Sequence, residues 1–383
     1  MRYFLIKAAR RTGIFFLSLL IGFVTLEVCS AILIVSGYIA DRLPSYRWQN
    51  VKDQFYEPHS IFGGWHVKNS RYKRDLSSVI SYNANSYGAA DIERSKENNS
   101  ALQRVVVLGD SFVEGKGVDQ SKRFTSIFEK ESGHEYLNFG MSMFGPVQYY
   151  LVYKHLAKVF QHDVVLVGIL PHNDFLDNDK EYGDHFYKKA YRPYFVGAYP
   201  NYALVYSNPT VSLKKWRRKR VIKGLFREFT FSYTVLKYLF LQSRHVFLEK
   251  KLSMAIEERG DDQKETYSGY YDFTQEQFNI LKFSIEKIQE EAGGKTLIIV
   301  TYPAINDLHA YQKLGTSPLT VKLERLSSEI GFEYIDLLPY FYHKDKNWGS
   351  YYLQGKSGGH YTEYGHQTVV DGLRSVLRKS LPH

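Results

Sequence analysis

Residues 105–117, VVVLGDSFVEGKG, join four apolar residues directly to Gly-Asp-Ser. A continuous apolar run of this kind is typical of a strand that is buried on both faces of a parallel sheet. Sites in open α/β sheets form at the carboxyl ends of the strands. One interpretation is a buried strand followed by an ordinary turn. The other makes Ser111 a candidate nucleophile at the end of a strand.

Four further β-rich runs follow, at EYLNFG (135–140), DVVLVGIL (163–170), TLIIVTYP (296–303) and FEYIDLL (332–338). Helical patterns separate these runs, and the helix before TLIIVTYP has Thr274 as its expected N-cap. Strands that alternate with helices predict an α/β fold with a doubly wound parallel sheet and helices on both faces.

The N-terminal segment 13–39 is long enough to cross a bilayer, which needs about 20 mostly apolar residues. Lys7, Arg10 and Arg11 precede it, and this excess of positive charge predicts a cytoplasmic N-terminus. We therefore predict an uncleaved signal anchor over residues 1–42, with the rest of the chain outside the cytoplasm. Glu27 lies within the span, where a carboxylate is costly. It is either a functional or paired carboxylate, or a protonated glutamate that faces a helix partner.

Composition and charge exclude several classes of protein. The single cysteine, Cys29, rules out an internal disulfide and a cysteine-based metal cluster. The net charge of +10 favours anionic partners, but no nucleic-acid motif is present, so we expect no nucleic-acid partner. No metal-ligand spacing and no nucleotide-binding loop occurs, so we expect no metal and no cofactor.

The rest of the chain divides into a leader segment, 43–103, and a main domain, 104–383. We expect the leader to be an irregular segment that packs on the main domain. The main domain contains a helical and aromatic insertion at about 176–270. Within it, the basic run at 214–220 fits an anionic membrane, an acidic polymer or a solvated helix face. The apolar run 229–242 predicts a helix in a cap over the sheet.

The ends of the predicted strands supply a second set of candidate residues. Gly140 ends the second strand, Asn173 follows the third, and His360 lies in GGHYTEYGH (358–366) after the fifth. A nucleophilic serine needs a base and donors for the oxyanion. We expect Ser111 to attack and His360 to be the base. The N–H groups of Ser111 and Gly140 and the side-chain amide of Asn173 would form the oxyanion hole.

In this order, the four motifs GDSFVEG, NFGMSMFG, PHND and GGHYTEYGH resemble those of the SGNH/GDSL hydrolase superfamily. In that family the four blocks supply Ser, Gly, Asn and His, which match Ser111, Gly140, Asn173 and His360. The leader stretch NANSYGAADIE also resembles the N-x-x-G-x-R-D segment that often precedes the first block.

The resemblance implies a flavodoxin-like, three-layer α/β/α fold with a five-stranded parallel sheet. It also implies ester hydrolysis or acyl transfer, often of acetyl groups on sugars. With its membrane anchor, the chain is similar to bacterial members associated with surface polysaccharide. That similarity implies a single-pass protein of the bacterial inner membrane, periplasmic in a Gram-negative organism. Its partners would be a glycan or acyl-ester substrate and the envelope polysaccharide machinery.

The sequence departs from the family pattern at two positions. Ser357 stands where the family usually has an aspartate, three residues before His360, and Pro171 replaces a usual glycine. Either Ser357 or an acid such as Asp336 or Asp345 would then orient the imidazole. The missing aspartate keeps open the hypothesis of an inactive glycan-binding or scaffold subunit. The basic insertion and the membrane anchor keep open a lipid-directed lipase or thioesterase.

Overall fold

The computed structural model describes residues 2–39, 43–51, 54–75, 79–99, 102–186, 190–208, 212–240, 242–243, 267–353 and 359–380. The helices are α1 (Arg2–Val35), α2 (Trp48–Val51), α3 (Ser111–Glu114), α4 (Phe124–Ser132), α5 (Pro146–His155), α6 (Pro171–Asn178), α7 (Lys180–Phe186), α8 (Leu213–Phe229), α9 (231–240), α10 (Gln275–Ala292), α11 (Ile305–Leu314), α12 (Pro318–Ile330), α13 (Leu338–Lys344) and α14 (Glu363–Ser380). The strands are β1 (Tyr56–His59), β2 (Gly63–His66), β3 (Arg71–Asp75), β4 (Val79–Asn83), β5 (Arg104–Gly109), β6 (Glu135–Asn138), β7 (Val164–Ile169), β8 (Arg192–Ala198), β9 (Asn201–Ser207), β10 (Thr296–Thr301) and β11 (Glu333–Asp336).

The chain forms two units. The anchor unit is Met1–Asp53 with Ser212–Glu265, and the sheet unit is Gln54–Val211 with Thr266–His383. This division differs from the one predicted at 1–42, 43–103 and 104–383. Residues 43–53 and residues 212–265 of the insertion group with the N-terminal helix, because their contacts lie within that unit.

The sheet unit is built on a five-stranded sheet in the order β11-β10-β7-β5-β6, and every neighbouring pair is parallel. All residues of β5 and β7 are buried. The predicted parallel α/β fold is therefore confirmed, and the five predicted runs are its five strands. Continuous apolar runs identified these strands because both faces of a parallel sheet are covered.

The order of the strands places a crevice between β5 and β7. After β5 the chain moves to β6 on one side and then returns to β7 on the other. Right-handed crossovers put the connecting helices α4 and α5 on opposite faces of the sheet. There, α4 packs on α14, and α5 packs on α10. The carboxyl ends of β5 and β7 thus flank the switch point where ligands bind in such sheets.

The leader is more regular than the sequence indicated. Strands β1 and β2 form one antiparallel hairpin, and β3 and β4 form another. Tyr72 and Tyr82 are directly opposite each other in the second hairpin, and their rings stack with centroids 4.6 Å apart. Phe62 and Trp65 belong to the same hydrophobic core as β5. The expectation of an irregular leader was wrong because cross-strand aromatic pairs stabilise these short strands.

The aromatic part of the insertion contributes to the core of the sheet unit. Strands β8 and β9 pair over seven residues each. Tyr194 and Phe195 of β8 are buried, and the Phe195 ring lies 4.9 Å from the Phe283 ring of α10. These side chains stabilise the fold through ring packing.

The anchor unit contains α1, α8 and α9. Residues 10–35 of α1 form the one helix in the described part of the chain that is long and apolar enough to cross a membrane. The apolar run at 229–242 is helical over 231–240, as predicted. Its contacts group it with α1 in the anchor unit, and its position as a cap over the sheet stays a prediction.

Candidate active site

Ser111 occupies a tight turn between β5 and α3. Asp110 caps the helix, and its Oδ1 accepts a hydrogen bond from the Phe112 N–H at 2.8 Å. A Cβ on Gly109 would lie 2.2 Å from a Val113 methyl carbon, so only glycine lets α3 fold back on the strand. This turn holds the largely buried Ser111 side chain just beyond the carboxyl end of β5.

His360 meets Ser111 across the crevice. The distance between His360 Nε2 and Ser111 Oγ is 2.9 Å, although the two residues are 249 positions apart in the sequence. Two neighbouring tyrosines hold the loop that carries the histidine, because the Tyr352 and Tyr361 hydroxyls both donate to the Pro303 carbonyl, at 2.9 and 3.0 Å. The geometry is that of a hydroxyl paired with a base that can take its proton.

The residues proposed to orient His360 have different positions. Ser357 lies outside the described residues. Asp336 accepts from the Thr320 hydroxyl at 2.6 Å and from the Leu338 N–H at 2.9 Å, beyond the end of β11. Asp345 accepts from the Asn347 N–H at 2.9 Å. Both acids therefore make their hydrogen bonds with other partners than the imidazole.

Asn173, in the first turn of α6, faces the nucleophile turn. Its Nδ2 donates to Asp110 Oδ2 at 3.2 Å. The amide nitrogen has two N–H groups, so one donor is fixed by Asp110 and the second is available to a substrate oxygen. The Ser111 N–H, as the first residue of α3, has no partner within its own helix. Both groups lie at the nucleophile turn, and their role as oxyanion donors stays a prediction.

Gly140 does not fit that role. Its N–H donates to Asn138 Oδ1 at 2.9 Å, so the predicted oxyanion donor is already used within the loop. A Cβ at position 140 would lie 2.3 Å from the Glu114 backbone nitrogen. Glycine is required here because the loop after β6 packs closely against α3 rather than against a substrate.

Asp110 is a buried acid beside the nucleophile. Burial raises the pKa of Asp110 to about 7, although hydrogen bonds from the Phe112 N–H and from Asn173 favour its charged form. The carboxyl therefore changes its charge near neutral pH. Its contacts orient both α3 and the Asn173 amide, which makes it a positioning residue.

Glu114, at the end of α3, was not singled out from the sequence. It is fully buried, and its Oε1 accepts from the Tyr56 hydroxyl at 2.6 Å and lies 3.3 Å from His66 Nε2. Its Oε2 accepts from the Ser142 N–H at 2.6 Å and from the Ser142 hydroxyl. Burial acts to raise the pKa of Glu114, but the hydrogen bond and charge of His66, with the Ser142 and Tyr56 hydrogen bonds, hold it at about 2.

The Glu114 carboxylate thus joins three segments of the sheet unit: the leader, the nucleophile turn and the loop after β6. A second contact ties the leader to the same loop, because Asp91 accepts from the Asn138 N–H at 3.2 Å and from Arg94 Nε at 3.0 Å. Asp91 lies in the NANSYGAADIE stretch. These contacts fix the loop beside Ser111 from the leader side.

Two other histidines near the motifs have separate environments. His366 is buried and accepts from the Phe124 N–H through Nδ1 at 3.4 Å, and burial lowers its pKa to about 3. It is a neutral packing residue. His172 stands beside Asn173, its Nδ1 is buried without a hydrogen-bond partner, and burial lowers its pKa. In the described ranges, no group of three or more His, Cys, Asp or Glu residues is placed to hold a metal ion.

No protein-family profile and no curated protein matches the chain. Among solved structures, it is similar to a member of the lipolytic protein G-D-S-L family from Veillonella parvula DSM 2008, with 12% identity, 72% of this chain and 99% of that chain covered, and a TM-score of 0.37. It is similar to a lipase/acylhydrolase from Enterococcus faecalis, with 9% identity, 73% and 97% coverage, and a TM-score of 0.39. For a carbohydrate acetylesterase family member from Sinorhizobium meliloti, the identity is 13%, the coverage 74% and 100%, and the TM-score 0.31. Overlaps this loose do not assign an activity, so the function rests on the geometry of the site.

Proposed function

We propose that this chain is a serine ester hydrolase or acyltransferase with Ser111 as its nucleophile and His360 as its general base. The observation that carries the proposal is the 2.9 Å contact between Ser111 Oγ and His360 Nε2 at the switch point of the sheet. The Asn173 amide supports it, because Asp110 fixes one side of that amide next to the nucleophile turn.

In the first half of the reaction, Ser111 Oγ attacks the ester carbonyl carbon while His360 Nε2 takes the hydroxyl proton. The carbonyl oxygen becomes an oxyanion, which the Ser111 N–H and the Asn173 side chain stabilise. The bond from carbon to the leaving oxygen then breaks, and the imidazolium returns its proton to that oxygen. An alcohol leaves, and the acyl group remains on Ser111.

In the second half, His360 removes a proton from the acceptor, whose oxygen attacks the acyl carbon. The Ser111 oxygen leaves and regains its proton from the imidazolium. Water as the acceptor gives a carboxylic acid, and a sugar hydroxyl gives a new ester. The same residues serve both reactions, so the access of water to the acyl-enzyme decides between them.

We further propose that the substrate is an acyl ester, chiefly acetyl, on a cell-envelope glycan, and that the sheet unit acts outside the cytoplasm. The membrane-length helix α1, with Lys7, Arg10 and Arg11 near its start, supports export of the remaining chain. The motif resemblance to polysaccharide-associated members supports the glycan and the envelope polysaccharide machinery as partners.

The first experiment measures hydrolysis of p-nitrophenyl acetate by the full chain in detergent micelles. We expect Ser111→Ala and His360→Ala each to lower kcat by at least about 10³-fold, because neither residue works without the other. Ser121→Ala, a serine in an exposed turn, is the matched control and keeps wild-type activity. Equal activity of Ser111→Ala and wild type would refute the proposal.

Substrate length and acceptor separate the remaining hypotheses. If acetyl esters are hydrolysed faster than octanoyl and palmitoyl esters, the result agrees with the proposal. The reverse order indicates a lipase or thioesterase. Acetylated oligosaccharide formed in the presence of an acetyl donor indicates transfer. Glycan binding that Ser111→Ala leaves unchanged, with no turnover of any ester, indicates an inactive binding subunit.

A further inference from the structure

Glu27, the carboxylate within the predicted membrane span, has a partner in the structure. Its Oε2 accepts from the Phe231 N–H at 2.8 Å, and its Oε1 accepts from the Ser232 N–H at 3.1 Å. These are the first two residues of α9. The negative charge of Glu27 therefore lies at the positive end of that helix and satisfies two N–H groups that α9 itself leaves unpaired.

The position of Glu27 along α1 indicates how deep in a bilayer the start of α9 would lie. Glu27 precedes the last residue of α1, Val35, by eight positions, which is about 12 Å along the helix axis. If α1 spans a bilayer, this point lies within the hydrocarbon region, whose thickness is about 30 Å. Unpaired N–H groups are costly there, and so is an unpaired carboxylate. Pairing the two offsets both costs.

Beyond this contact, α9 packs along α1. Val235 of α9 forms a small apolar cluster with Ile34 and Ile39, and Phe231 and Tyr238 pack against it. Leu236, Leu239 and Phe240 point away from the protein and are more than half exposed. Both α9 and α1 thus carry exposed apolar side chains. Residues 230–242 carry a single charge, that of Lys237.

The preceding helix, α8, has the composition of a helix at a membrane surface. It carries eight basic residues and one acidic residue, Glu228, which is buried. The basic side chains from Lys214 to Lys223 are exposed, while Ile222, Phe226 and Phe229 form an exposed apolar stripe at helical spacing. The basic side chains surround the first turns of α8 and the apolar stripe occupies its last turns, and this combination of positive charge with exposed apolar surface favours anionic lipid headgroups.

Contacts with the segment that follows α1 fix α8 in place. The Ser45 hydroxyl donates to Glu228 Oε2 at 2.5 Å, and Arg227 Nη2 donates to the Asn50 carbonyl at 2.7 Å. A Cβ at Gly224 would lie 2.3 Å from the Val51 carbonyl oxygen, so the two segments pack backbone to backbone. The basic helix is therefore held against residues 45–51, which follow α1 in the chain.

We propose that the insertion forms a second membrane contact: α9 lies in the outer part of the bilayer beside α1, and α8 lies on anionic phospholipid headgroups of the same leaflet. This is the leaflet at the C-terminal end of α1. Glu27 is the internal partner that makes the buried start of α9 stable. The proposal is independent of ester hydrolysis, because no contact that carries it involves the active site.

The test uses the full chain in nanodiscs with a fluorescent thiol label at one position. Cys29, which is exposed on α1, is the bilayer control in the wild-type chain. In a Cys29→Ala background, Leu239→Cys places the label on α9. Leu314→Cys places it on an exposed position of α11, as the matched aqueous control. Quenching by lipids with bromine on the acyl chain reports contact with the hydrocarbon, and quenching by iodide reports water.

We expect brominated lipid to quench the labels at Cys29 and Leu239→Cys at least about threefold more than the label at Leu314→Cys, with iodide in the opposite order. Glu27→Leu, which removes the acceptors of the α9 N–H groups, should lower lipid quenching at Leu239→Cys by at least about twofold. A label at Leu239→Cys that iodide quenches as strongly as Leu314→Cys would overturn the proposal, and so would a Cys29 label in water.

The lipid charge is tested with a label at Lys223→Cys in nanodiscs of equal phosphatidylglycerol and phosphatidylcholine. Bromine is placed on one lipid or on the other. We expect brominated phosphatidylglycerol to quench at least about twofold more strongly than brominated phosphatidylcholine. The ratio should fall to about one in a variant with Arg217→Gln, Arg218→Gln, Lys219→Gln and Arg220→Gln. A quenching ratio of one in the parent chain would refute the contact with anionic headgroups. Binding of an acidic polysaccharide at α8 would then explain the positive charge of that helix.

Discussion

Replacing Glu114 by glutamine tests whether the buried carboxylate holds the leader and the loop after β6 on the nucleophile turn. The substitution keeps the volume and removes the charge that Tyr56, His66 and Ser142 share. The single amide oxygen of glutamine cannot accept from Ser142 and also from Tyr56 and His66. The new NH₂ group is itself a donor, so it leaves the donors on its side without an acceptor. Buried donors left without an acceptor cost about 1–3 kcal/mol each.

The pKa gives a second measure of the same interaction. A pKa of about 2 in place of 4.5 corresponds to about 3 kcal/mol of stability at neutral pH. Because the folded-state pKa is depressed, this stability is present above about pH 4.5 and is lost as the pH falls toward 2. A loss of about 3 kcal/mol corresponds to a decrease of about 6 °C in Tm for a unit of this size.

The assay is thermal unfolding of the full chain in detergent, followed by tryptophan fluorescence. We expect Glu114→Gln to melt about 6 °C below wild type at pH 7 and the difference to shrink to about half at pH 3. Glu290→Gln, which breaks an exposed pair with Lys287, is the matched control and should shift Tm by no more than about 2 °C. A Glu114→Gln Tm within 2 °C of wild type, or a Tm difference that does not depend on pH, would show that the Glu114 carboxylate does not hold these segments together.

Three further substitutions test the residues around Ser111. The stability of Asp110→Asn relative to wild type should increase as the pH rises from 4 to 7. The cause is the raised pKa of Asp110, about 7, which makes ionisation of the wild-type carboxyl costly in the folded state. A Tm difference that stays constant over this pH range would contradict this prediction. Asn173→Ala should lower kcat for an acetyl ester by about 10²–10³-fold through the loss of an oxyanion donor, and a kcat within about threefold of wild type would exclude that role. Gly140→Ala should lower Tm by several degrees, because its Cβ meets the Glu114 backbone nitrogen at 2.3 Å. Gly349→Ala, where the nearest atom is 3.6 Å away, is its control and should change little, so equal Tm shifts would argue against the clash.

The sheet could be predicted because its signals are local. Each strand is a short apolar run, and its carboxyl end is visible in the sequence as Gly-Asp-Ser, Asn-Phe-Gly or Pro-His-Asn-Asp. The order of strands and helices then determines which ends meet. Ser111, Asn173 and His360 come together for this reason, although they are far apart in the sequence.

Other features depend on contacts that no local pattern shows. Glu114 resembles any surface glutamate in the sequence, because its partners Tyr56, His66 and Ser142 come from other segments. The apolar run of α9 predicted a helix, but only its hydrogen bonds with Glu27 show that the helix belongs with α1.

Gly140 has one feature that the sequence predicts and one that only the structure shows. The sequence correctly indicated that a glycine is needed for a close approach. The approaching group is the Glu114 backbone rather than a substrate, and the N–H is used by Asn138. A backbone N–H has no signature of its own in the sequence, so its partner could be identified only in the structure.

The central claim, that Ser111 is a nucleophile activated by His360, is tested most directly by covalent labelling. The full chain is treated with a fluorophosphonate, digested and mapped by mass spectrometry. We expect one phosphonylated peptide, modified at Ser111, and loss of that label in His360→Ala with folding preserved. A folded wild-type chain that remains unlabelled at Ser111, or that labels equally well without His360, would contradict it.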